Sequence, residues 1–151
     1  MTQSAPQQRS RIVVGVDGSP SSLDALRWAV GQARATGAVV DAIATWQQPA
    51  LVYGPGYYVP PVADSDLDQG VAKVLNDSVA QALDGGVGVE IDQRVVEGHP
   101  AQALLEAARG AALLVLGNRG HGGFAGALLG SVGQHCVQHA PCPVVIVRHD
   151  S

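Results

Sequence analysis

The chain has 151 residues, a formal net charge of −4, 46% apolar residues and only 15% charged ones. That is one domain's length, enough to bury about two-thirds of the unfolded surface, and too apolar for a disordered chain. The acidic balance and a single lysine, Lys73, leave no basic patch to displace counterions, which argues against a nucleic-acid partner.

Residues 1–10 read as a polar, flexible N-terminal tail without an apolar signal core. Residues 11–16 form a short apolar strand that runs into Asp17-Gly18-Ser19-Pro20. Ser19 suits a helix N-cap and Pro20 the first helical position, where its missing N–H costs nothing. Leu23, Leu26, Val30 and Ala33 then make one helical stripe that Gly37 ends. A second strand spans 38–46, followed by a variable segment, 47–64, rich in proline and holding Tyr53, Tyr57 and Tyr58. Leu67, Val71, Val74, Leu75 and Val79 predict a second helix that stops at Gly85-Gly86. A third strand is expected over 87–96 and a third helix over 100–109, with Leu104, Leu105 and Ala108 inward. Leu113–Leu116 is the fourth strand, 130–140 the fourth helix and Val144–Val147 the fifth strand.

Strands alternating with helices, with no hairpin signal, predict a single α/β domain over 11–149: a doubly wound, open parallel sheet with helices on both faces. With only 4% aromatics, Val, Leu and Ala must fill its core. Ligands in such sheets bind beyond the strands' carboxyl ends, where strand order reverses. Two strand ends carry chemistry: Asp17-Gly18-Ser19 after the first, and Gly117-x2-Gly120-x9-Gly130-Ser131 after the fourth. In the order 3-2-1-4-5 they would face one another across a crevice. Glycines admit close approach of an anion, and amides around Gly120 and at Gly130, Ser131 and Val132 are candidates to hold phosphate oxygens at a helix start. Asp17, an acceptor, suits ribose hydroxyls or Mg²⁺, and Arg119 is a candidate phosphate contact.

Rival motifs fare worse. Gly120-x-Gly122-x2-Ala125 follows the wrong strand for a dinucleotide fingerprint and lacks the acidic residue ~20 positions on. No G-x4-G-K-[ST] phosphate loop exists, and a nucleophile elbow would need glycine where Leu129 stands. His135, Cys136, His139 and Cys142 resemble a metal set, but Cys136 points about 100° from His135 around the helix, so exposed histidines beside a half-buried thiol are the simpler reading. His99 and His121 lie near the expected crevice. The tyrosine-rich segment is a mobile insertion by default, or else a lid or a patch for an unidentified protein partner.

These residues together have a family pattern. The chain resembles the universal stress protein family over Arg11 to His149, through Val16-Asp17-Gly18-Ser19, Gly98-His99-Pro100, the glycine element above and His139-Ala140-Pro141-Cys142-Pro143-Val144. The Gly117-x2-Gly120-x9-Gly130-Ser131 element resembles that of the ATP-binding branch. The resemblance implies a Rossmann-like sheet of the adenine nucleotide alpha hydrolase type in 3-2-1-4-5 order, a homodimer and bound ATP. It implies that Gly15, Val16 and Asp17 line the adenosine end, that Thr45 meets adenine, and that Gly117, Gly120, Gly130, Ser131 and Val132 line the phosphates. Asn118-Arg119 departs from the Ser-His often found there.

The expected function is therefore an adenine-nucleotide-binding stress protein with at most slow ATP hydrolysis, Mg²⁺ joining through Asp17. The open alternatives are a cyclic AMP binder and a nucleotide-independent interaction module. Dimerisation is expected along Val144–Val147, an apolar edge that pairing would cover. No apolar run approaches the ~18 residues of a membrane span, and two cysteines without an export signal point to the cytoplasm.

Overall fold

The protein is described by a computed structural model over residues 9–47, 64–86, 88–119 and 129–149. Gly120, His121, the Tyr53–Tyr58 stretch and the dinucleotide-like Gly122 and Ala125 lie outside the described residues.

Nine elements alternate along the described residues: β1 (Arg11–Gly15), α1 (Pro20–Thr36), β2 (Val39–Trp46), α2 (Asp64–Leu83), β3 (Ile91–Glu97), α3 (Pro100–Ala107), β4 (Leu113–Gly117), α4 (Ser131–His139) and β5 (Val144–Val147). The sheet is parallel throughout, in the order β3-β2-β1-β4-β5. The expected fold class is the observed one.

Local chemistry sets the helix boundaries. The Ser19 hydroxyl accepts the Ser22 N–H at 3.2 Å, capping α1, and Pro20 fills the first helical position. Gly37 ends the helix at φ 79°, a left-handed conformation that a β-carbon would strain. In α2, Leu75 and Val79 turn inward as expected, but Val74 is exposed, at the margin of the apolar stripe. β3 starts at Ile91 rather than at 87, because its ladder with β2 opens at Val40↔Ile91, with the Val40 N–H donating to Glu90 O at 3.0 Å.

Alternation along β1 splits the core. Ile12 and Val14 face α1 and α2, where Ala25, Leu26, Ala29, Leu75 and Val79 are buried. Val13 faces α3 and α4 with Ile43, Leu104, Leu114, Leu116 and Cys136. Each large aliphatic side chain so buried contributes about 1.5–3 kcal/mol against the entropy of ordering the chain.

Among the described residues one carboxylate is buried. Asp41 on β2 accepts two hydrogen bonds from Arg94, at 3.0 and 2.7 Å, and one from Arg11 Nη1 at 3.2 Å. Arg11 also donates to the carbonyls of Ala107 (3.2 Å) and Arg109 (2.9 Å), satisfying the end of α3 with a cation, as the helix dipole favours. Hydrogen bonding to Asp41 raises the Arg94 guanidinium further above its ordinary value. A buried charge is tolerated only when paired this completely.

The two edges of the sheet differ. β3 exposes Asp92, Gln93, Arg94 and Glu97, whereas all four residues of β5 are apolar and half-buried. Among the described residues no helix is long and apolar enough to cross a membrane.

Candidate functional site

Because β1 and β4 are neighbours while their chains lead to opposite sides of the sheet, strand order reverses between them. A cleft of about 320 Å³ opens there, within the size range of small-ligand sites. Gly15, Val16, Asp17, Thr45, Gly117, Arg119, Gly130, Ser131 and Val132 all line it. Of the residues expected at the site, Gly120 alone falls outside the described residues. A second hollow of about 310 Å³ lies between the ends of β1 and β2 and the start of α2, sharing Val16, Asp17 and Thr45 with the first.

The first turn of α1 builds one wall. The Asp17 carboxylate accepts the Ser19 N–H at 2.9 Å, so it fixes the turn after β1 as well as facing the cleft. Ser21 is buried, donates its hydroxyl to Asn118 Oδ1 at 2.9 Å and accepts the Arg119 N–H at 3.3 Å. Gly117 lets this happen: a β-carbon there would lie 2.6 Å from the Ser21 carbonyl carbon and 2.7 Å from its oxygen. The glycine thus serves the approach of two backbones, a role that the spacing of glycines does not reveal.

The opposite wall is the start of α4. Gly130 is its N-cap, and its N–H donates to Asn118 O at 2.8 Å. Gly130 thus lines the cleft while its own amide is bonded to the loop after β4. The amides of Ser131 and Val132 have no partner among the described residues, since the first helical bond is Gln134 N–H to Gly130 O at 2.9 Å. Two donors and the positive end of a helix dipole therefore face the cleft, an arrangement that attracts anions. Arg119 adds a cation at the rim, and its side chain is exposed.

The floor was not anticipated from the sequence. Ile43, Pro100, Leu104, Leu116 and Gly133 give the cleft an apolar base under α3 and α4. Ile43 sits two residues before Thr45 on the same face of β2, so strand alternation alone carried that signal. The arrangement as a whole offers an apolar slot, an acceptor at Asp17 and anion-binding amides at α4.

The chain has counterparts among known proteins. The model of the universal stress protein family matches residues 8–148. The chain belongs to that family. A universal stress protein of Mycolicibacterium smegmatis is 34% identical over 146 residues, covering 97% of this chain and 48% of the relative. A universal stress protein of Mycobacterium tuberculosis is 34% identical over 142 residues, covering 93% and 46%. The chain spans about half the length of the curated relatives it matches. Among solved structures, a universal stress protein in complex with cAMP superposes with TM-score 0.66 at 30% identity, covering 95% of this chain and 100% of that one. A member of the family from Burkholderia pseudomallei gives TM-score 0.66 at 29% identity, covering 91% and 95%.

The histidine and cysteine set on α4 of this universal stress protein domain does not converge. Cys136 is fully buried, the His135 and His139 rings lie 4.6 Å apart on the exposed side, and no group of three metal-ligating side chains occurs among the described residues. Burial pushes the Cys136 thiol up to about 11 from an ordinary value of 9.0. Between those values the unfolded chain loses this proton and the folded one keeps it, so stability falls as pH rises through that window, by about 2–3 kcal/mol. Urea titrations across the window are expected to show the loss in the wild type and a flatter profile in Cys136→Ala. An unchanged slope in the variant would assign the loss to other groups.

Proposed function

We propose that this protein binds an adenine nucleotide in the β1–β4 cleft and uses ATP as a ligand or signal in a stress response. The observation that carries the reading is the convergence on one nucleotide-sized cleft of Asp17, Thr45 and the amides of Ser131 and Val132, which have no partner among the described residues. Adenine would take the apolar slot beside Thr45, and the phosphates the start of α4 and the Arg119 rim. Asp17 is the one carboxylate among the described lining residues. Mg²⁺ is commonly held by one or two carboxylates plus substrate phosphates, so this donor set fits it. Gly120 completes the element in this reading, and residues 11–149 are the working unit, with the 1–10 tail and the 47–64 segment as appendages. The cytoplasm suits its two free thiols, Cys136 and Cys142.

Hydrolysis is at most slow in this reading. Rapid phosphoryl transfer needs a metal clamp and a positioned base, and the described lining residues include no lysine or histidine. A second reading, cyclic AMP as the ligand, is favoured by the 30% identical universal stress protein solved in complex with cAMP. A thermal-shift panel of ATP, ADP, AMP and cAMP, with and without Mg²⁺, separates the two. At 100 times its dissociation constant the ligand stabilises by about 2.7 kcal/mol, or about 5–10 °C for a chain of this size. No shift with any of them would leave an interaction module as the better account.

The contrast of edges supports a homodimer in this reading. Charges on β3 discourage strand addition, whereas the apolar β5 gains by pairing with its own copy around a two-fold axis. Ile146→Asp is expected to give monomers or aggregates in sedimentation velocity. A soluble dimer of that variant would place the contact elsewhere.

A further inference from the structure

Asn118 makes more connections than a loop residue needs. It is buried, at 7% exposure, yet lines the cleft. Its N–H donates to Val147 O, the last carbonyl of β5, at 2.9 Å, and its own carbonyl accepts the Gly130 N–H at 2.8 Å. Its side-chain oxygen accepts both the Ser21 hydroxyl at 2.9 Å and the His149 N–H at 3.2 Å. Four separate pieces of chain therefore hang from one residue: β5, the segment beyond it, the cap of α4 and the first turn of α1. The segment beyond β5 is held a second time, because His149 Nδ1 lies 2.5 Å from Asp24 Oδ2 on α1.

We infer that Asn118 is a positioning residue that couples occupancy of the cleft to the order of the segment leaving edge strand β5. The inference rests on the nucleotide-binding reading above. A phosphate at Ser131 and Val132 fixes the cap of α4, and Gly130 passes that constraint directly to the Asn118 peptide. The side-chain oxygen of the same residue then holds the His149 amide more firmly, and ordering done for one event need not be done again for the other. Coupling of this kind is reciprocal: whatever loosens the His149 amide from Asn118 must weaken the ligand by the same factor. A partner that grips the end of β5 would sense the nucleotide through this link without touching it.

The test acts at His149, outside the cleft. His149→Pro removes the donated N–H, whereas His149→Ala keeps it and loses only the ring. Affinity for ATP, with cAMP as a parallel arm, is measured on the full chain by calorimetry. His149→Pro is expected to bind about 5-fold or more weakly than wild type, and His149→Ala, which keeps the amide and loses the ring's hold on Asp24, by a smaller factor. Saturating nucleotide should slow hydrogen exchange of the wild-type His149 amide by the same factor as the affinity loss. Should His149→Pro fail to fold, a chain ending at Arg148 removes the same donor and is expected to lose the same affinity. Wild-type affinity in whichever of these folds would overturn the coupling while leaving nucleotide binding intact. Absence of binding by the wild type to either nucleotide would instead overturn the binding reading and this inference with it.

Discussion

Gly117→Ala is expected to destabilise the fold by about 2–3 kcal/mol, a large effect for one added methyl group. The methyl would lie 2.6 Å from the Ser21 carbonyl carbon and 2.7 Å from the Ser21 oxygen. These are main-chain atoms and cannot rotate aside, so the end of β4 and the first turn of α1 must separate. The Ser21 to Asn118 hydrogen bond, 2.9 Å long and buried, would be strained with them. Gly31 in mid-α1 is the control, since a β-carbon there meets nothing within 4 Å. Gly31→Ala should stabilise by roughly 0.5–1 kcal/mol through helix propensity. Urea midpoints shifting in opposite directions would bear this out. A Gly117→Ala variant as stable as wild type would mean that α1 and β4 can slide apart at little cost.

Gly130→Val is expected to erase nucleotide-induced stabilisation, removing the full ~2.7 kcal/mol seen at 100 times the dissociation constant. The backbone there, φ −70° and ψ 167°, is open to any residue, so the substitution brings the variant no backbone strain. Its unliganded stability should drop by no more than about 1 kcal/mol, the usual scale for a changed N-cap. The added bulk falls in the lining shared with Ser131 and Val132, where it is expected to exclude an anion. A retained thermal shift would move the phosphate site away from α4, whereas loss of folding without ligand would make Gly130 a structural residue first.

Short-range chemistry was legible in the sequence. Ser19-Pro20 marks the start of α1 and Gly37 its end because cap geometry depends on adjacent residues alone. The alternation of strand and helix marked all nine elements for the same reason. The sheet order came from resemblance and from the logic of two chemically marked strand ends, and the observed topology agrees with both. Pairing sets boundaries less visibly: 87–90 reads as part of a strand until the start of β2 is seen to offer its first Cα partner at Ile91.

Long-range contacts were less legible. Gly117, Gly130 and Ser131 stand out as a motif, but their division of labour depends on Ser21 and Asn118, which are 97 residues apart. Ser21 reads as an ordinary first-turn serine and Asn118 as a mere departure from a common Ser-His. Only their meeting shows that one wall of the cleft is built from α1. The apolar floor was hidden for a related reason, since Leu104 and Leu116 look like any core leucines until the gap above them is seen.

The unlike margins of the sheet have a further consequence for the proposed dimer. A strand margin that accepts its own copy uses itself up in a two-fold pairing, and both outward margins of the joined sheet are then copies of β3. Asp92, Arg94 and Glu97 would make those outer margins poor templates for a third chain. In the proposed dimer, growth by strand addition would halt at two subunits.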